Sequence, residues 1–69
     1  MIEIFKTNVE NKRQAKSLLA LLNQHFPSAE INFDLDDCDS ILRVKAEDLC
    51  LLIIIKILAD KGFECQVLD

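Results

Sequence analysis

Residues 49–59 read Leu-Cys-Leu-Leu-Ile-Ile-Ile-Lys-Ile-Leu-Ala, an apolar run broken only by Lys56. Crossing a bilayer takes about 20 apolar residues, so the run is too short to span one and has to be buried against the rest of the chain. The chain has 69 residues, enough for one small domain spanning residues 1–69. A domain of this size buries only about 60% of its unfolded surface, so the run is the element around which its core must form.

Isoleucine-rich runs suit strands as well as helices, and the flanking residues decide between them. Glu47 and Asp48 precede the run, where negative charge favours the first turn of a helix. Lys61 and Gly62 follow it, a cation for the last turn and a glycine for the left-handed cap. A span of about 15 residues with caps reads as a helix. At 100° per residue, Leu51, Ile54, Ile55 and Leu58 form its inward stripe. Cys50, Ile53 and Ile57 fall on one flank, Leu52 and Ala59 on the other, and Leu49 lies toward the polar side. One face suffices to cover half of a small sheet, so Leu49, Leu52, Ile53 and Ile57 are expected to offer a contact surface for a second copy or a protein partner.

The remaining chain alternates between strand and helix signals. Residues 2–6 alternate, with Ile2 and Ile4 on one face and Glu3 and Phe5 on the other. Thr7-Asn-Val-Glu10 fits the capping-box pattern, and Asn8 is also a good cap. The helix that follows carries Ala15, Leu18, Leu19, Leu22 and Phe26 as a buried stripe and ends at Pro27. Residues 28–35 put Ile31, Phe33 and Leu35 on one face and Glu30, Asn32 and Asp34 on the other. Residues 36–40 are turn-forming. Residues 41–46 read as a strand with Leu42 and Val44 inward and Ile41, Arg43 and Lys45 outward. Residues 63–68 close the chain with Phe63, Cys65 and Val67 inward. Strand, helix, strand, strand, helix, strand is the pattern of an α+β, ferredoxin-like βαββαβ sandwich. The expected sheet is antiparallel in the order 4-1-3-2, with both helices on one face. Its open face is expected to carry Arg43 and Lys45 between Glu3 on one side and Glu30 and Asp34 on the other, as stabilising cross-strand pairs.

Lys6-Thr-Asn-Val-Glu-Asn-Lys-Arg-Gln-Ala, Ile31-Asn-Phe-Asp34 and Ile57-Leu-Ala-Asp-Lys-Gly-Phe63 resemble the first loop and helix start, the second strand, and the last helix and turn of the heavy-metal-associated domain. That family's first loop carries M-x-C-x-x-C, two thiolates at a helix start that suit soft metals such as Cu(I). The matching positions here are Val9 and Lys12, and neither replaces a thiolate. The resemblance therefore implies the fold, a cytoplasmic setting and a partner-docking role, with no metal ligands carried over.

Other chemistry is sparse. The net charge is −4, against the clustered cations that nonspecific nucleic-acid binding requires. Sequence-specific RNA binding on this topology needs aromatics on the open sheet face, and only Phe5 offers itself. Cys38, Cys50 and Cys65 are odd in number and widely spaced, which points to reduced thiols in the cytosol, not a disulfide framework. Cys50 and Cys65 read as small buried groups. Cys38, in a turn, is the one weak metal candidate, alone or with Cys65, and its acidic neighbours raise its pKa. The stretch from Asp34 to Asp39 fails the EF-hand pattern, lacking Gly at the sixth position and placing Lys45 where the bidentate Glu belongs. His25 sits near a helix C-terminus with no partner at ligand spacing. Glu10 and Glu47 are not brought together by any motif, and no nucleophile with an adjacent base occurs. No leader segment opens the chain, since Glu3 interrupts its start. The expectation is a non-enzymatic cytoplasmic protein with no cofactor, no nucleic acid and no membrane. Its loops at 7–10, 36–40 and 61–63 meet at one end, and Lys12, Arg13 and Lys16 form a basic docking patch there.

Overall fold

The alternating segments form one four-stranded antiparallel sheet, and both helices cover the same face of it. The computed structural model describes residues 1–36 and 40–68. The elements are β1 (Ile2–Thr7), α1 (Lys12–His25), β2 (Glu30–Asp34), β3 (Ile41–Lys45), α2 (Leu51–Asp60) and β4 (Cys65–Val67). The strands stand in the order β2-β3-β1-β4, the expected order read from the other edge. No helix among the described residues is long and apolar enough to cross a membrane.

Register fixes which side chains meet the helices. β1 pairs with β3 so that Glu3 stands opposite Val44 and Phe5 opposite Leu42. β2 pairs with β3 so that Ile31 faces Val44 and Phe33 faces Leu42. Directly opposed residues share a face, so Phe5, Leu42 and Val44 lie together beneath the helices. They are fully buried with Leu22 of α1 and Ile54 and Leu58 of α2. Ala15, Leu18 and Ile57 complete the same cluster.

Two expectations about β1 are overturned here. Glu3 lies on the helix side, so it does not flank Arg43 on the open face. Phe5 is fully buried, so no β1 aromatic is presented for stacking bases. The open face carries Ile2, Ile4 and Lys6 beside Lys45, Arg43 and Ile41, with Glu30 and Asn32 opposite Lys45 and Arg43 on β2. The physical reason is volume. Burying Phe5 removes more apolar area from water than burying Ile2 at a strand end, and β1 turns its larger side chain inward.

Both helices start later than their capping patterns suggest. Thr7 remains in β1, paired with Cys65, and its hydroxyl is used by another loop. The cap of α1 is Asn11, whose Oδ1 accepts from the Gln14 amide at 2.9 Å. Gln14 Oε1 reaches back to accept from the Glu10 amide at 2.8 Å, a reciprocal arrangement close to a capping box but four residues downstream of the expected one. Before α2, the Ala46 amide still donates to the Met1 carbonyl at 2.9 Å, and residues 47–50 climb from the sheet to the helical layer. Glu47 and Asp48 therefore precede α2 and do not occupy its first turn. Cys50 is its cap residue, with no side-chain bond, and is exposed, not buried. At the far end, Gly62 takes φ 87°. The Gly62 and Phe63 amides donate to the Ala59 and Leu58 carbonyls, each at 2.9 Å, the paired bonds of a Schellman cap.

The buried stripe of α2 is rotated from the expected one toward Ile57. Ile54, Ile57 and Leu58 are buried, while Leu51 and Ile55 are half-buried and pack on the edge of the cluster with Leu49. Ile57 and Leu49 thus belong to the core and are withdrawn from the expected contact surface. Leu52 at 75% and Ile53 at 45% remain exposed.

Phe5→Ala should lower unfolding free energy by about 3–5 kcal/mol in urea titration, whereas Leu52→Ala should stay within about 0.5 kcal/mol. Gly62→Ala should cost roughly 1–2 kcal/mol from backbone strain alone, because an added Cβ meets nothing within 4 Å.

Candidate functional site

The end of the sheet where β1 runs into α1 is where the resembled family holds its metal, and here it is closed by a hydrogen-bonded clasp. The Thr7 amide and hydroxyl both donate to the Ser40 carbonyl, at 3.2 Å and 2.7 Å. The Ser40 hydroxyl donates to the Val9 carbonyl at 2.6 Å. The Val9 amide in turn donates to Thr7 Oγ1 at 3.3 Å. A fifth bond ties in the segment after α2, the Glu64 amide donating to Asn8 Oδ1 at 2.7 Å. Ser40 has φ 47°, a left-handed conformation that costs a non-glycine residue about 1–2 kcal/mol. Its three bonds to the opposing loop offset that strain.

The clasp decides where the Val9 and Lys12 side chains go. Val9 is 1% exposed and belongs to the core cluster, while Lys12 is exposed at the first position of α1. A β-branched apolar group turned inward beside a solvated ammonium offers no pair of convergent donors. Among the described residues there is no group of three or more His, Cys, Asp or Glu able to hold a metal ion. Cys38, with Asp37 and Asp39, lies outside the described residues. Cys65 is half-buried, and desolvation pushes its thiol up from 9.0 to about 11, which favours the protonated form over the thiolate that metals require. His25 is exposed, its Nδ1 3.1 Å from the Leu21 carbonyl.

Lys12, Arg13 and Lys16 are all exposed on the first turns of α1. The turn of α1 sends Lys12 and Lys16 to a shallow cleft against β2, with Leu19, Asn32 and Phe33. Arg13, the next position round the helix, lines a groove of about 520 Å³ between α1 and the end of α2. Leu18, Leu21 and Phe63 supply that groove's apolar surface, and Lys61 its second cation. Lys6 lies on the open face of the sheet, away from all three. At the opposite end of the helical layer, Glu47 and Asp48 border a second groove with Phe26 and Pro27. The groove at Arg13 escapes a reading of sequence because Arg13 and Leu21 lie on α1 while Lys61 and Phe63 come from the segment after α2. The hint was the Gly62 cap, which fixes where Phe63 goes. No protein-family model, curated protein or solved structure matches this chain.

Thr7→Val keeps the shape of the clasp but removes one donor and one acceptor, and should cost about 1–3 kcal/mol by chemical denaturation. Cys65 sets an alkaline limit. The unfolded thiol ionises near its ordinary value, while the folded one keeps its proton to about pH 11. Stability is therefore complete below pH 9 and falls as pH rises from 9 to about 11, because the unfolded state binds fewer protons in that window. Cys65→Ala should flatten this stretch of a stability–pH curve.

Proposed function

We propose that this chain is a non-enzymatic relative of the heavy-metal-associated domain that lacks the family's metal centre and acts through protein contacts. The observation that carries the reading is Val9. At the position of a family thiolate stands a side chain enclosed in the core, on a loop whose polar groups are spent on the Thr7–Ser40 clasp. A loop built this way serves stability, and a carrier of soft metal ions needs two accessible thiolates at that place. The βαββαβ order and the Gly62–Phe63 turn support the same relationship through layout. What the molecule offers to others is its helical layer, with Arg13 and Lys61 at one end and exposed Leu52 and Ile53 along α2.

An anaerobic competition titration with a chromogenic Cu(I) chelator tests this reading. The expected outcome is that the metal stays with the chelator at every protein concentration used. Tight 1:1 uptake that disappears in Cys38→Ser would overturn the proposal in favour of a divergent soft-metal binder.

A further inference from the structure

We infer that the helical layer is the interface of a symmetric homodimer, in which the Arg13–Lys61 groove of each copy receives the start of α2 from the other. Both halves of the contact are present on one chain. The groove has an apolar surface from Leu18, Leu21 and Phe63 and two cations, with no carboxylate among the described residues lining it. Asp60 and Glu64, chain neighbours of Lys61 and Phe63, do not line it either. The complement is the beginning of α2. Leu52 and Ile53 are its most exposed large apolar groups, and the carboxylates of Glu47 and Asp48 stand just before them, also exposed. The groove is thus lined by two cations, while the connection into α2 is acidic.

Symmetry joins the halves. A two-fold axis through the helical layer sets α2 antiparallel to its copy, so the acidic end of each chain lies over the cationic end of the other. An isologous contact of this kind forms twice at once, and closure prevents a filament. α2 is 10 residues long, about 15 Å. The groove runs along α1 from Arg13 to Gln24, about 18 Å on the same rise, so it is long enough to receive the helix. A standard interface takes about 800 Å² from each partner, about a sixth of the 4784 Å² this chain exposes. The inference deepens the reading above by naming the partner as a second copy, and it rests on that reading only for the helical layer being the surface in use.

Sedimentation equilibrium of the full chain, with reductant and a metal chelator present, tests it through charge exchange. The unaltered chain should shift from monomer to dimer mass as concentration rises, with a weaker shift at high salt. R13E/K61E and E47K/D48K should each raise the dissociation constant about tenfold or more, with circular dichroism unchanged. Mixed 1:1, the two variants should form a heterodimer, since each then opposes the other's reversed charges at both contacts. A monomer mass for the unaltered chain at all concentrations would overturn the inference, and so would a dimer that both variants leave intact, or variants that stay apart on mixing. None of these outcomes bears on Cu(I) uptake, so failure here and failure of the metal-free reading are separable.

Discussion

The rest of the molecule depends on the register of β1 against β3. β1 is a central strand, with β3 on one side and β4 on the other. Placing Phe5 opposite Leu42 puts the one fully buried aromatic between the sheet and both helices. A slip of one residue would send Phe5 to the open face and bring Ile4 inward. The helices would then rest on smaller side chains and leave the largest apolar group of the strand in water. Everything downstream follows from this register: the face that α1 and α2 cover, the inward turn of Val9 where β1 ends, and the meeting of Thr7 with Ser40.

The clasp at the end of β1 is the second consequence. Once Val9 is drawn into the core, the backbone of residues 7–9 would be left with buried polar groups. The Thr7 amide donates to the Ser40 carbonyl, the Val9 amide to the Thr7 hydroxyl, and the Val9 carbonyl accepts from the Ser40 hydroxyl. An unpaired buried amide or carbonyl costs more than a typical bond returns, so the loop is held in one shape. A ligand-binding loop generally keeps donors free and backbone mobile, and this one does neither. The same residues that resemble a metal-binding segment in order are committed to joining two loops.

The helical layer is where the molecule keeps its unspent surface. α2 buries Ile54, Ile57 and Leu58 and leaves Leu52 and Ile53 outside. Its ends differ in charge because the connection into it carries Glu47 and Asp48 and its cap carries Lys61. In a domain this small, core and contact surface are cut from the same apolar run. A substitution along α2 therefore acts on stability or on association according to a rotation of one residue, 100°.

Much of the fold was legible in the chain because its signals were local. The order of elements, the faces of β2, β3 and β4, and the end of α2 at Gly62 each rest on alternation, period or a backbone conformation that glycine supplies. The face of β1 was not legible, because alternation separates Ile2 and Ile4 from Glu3 and Phe5 without saying which pair turns inward. That choice belongs to the sheet as a whole, where the larger buried area wins. The starts of the helices were misjudged for a related reason. Thr7 caps well in isolation and Asp48 suits a first turn, but Thr7 is taken by a bond to Ser40, 33 positions away, and Asp48 lies on the connection before α2. The sequence by itself determined that a helix would form within the apolar run of residues 49–59 and turn one face into the core. Only the tertiary structure decided which of them are core, placing Ile57 inside and Ile53 outside. Those two lie close together on one flank of the helix, and only packing against β4 and α1 can tell them apart.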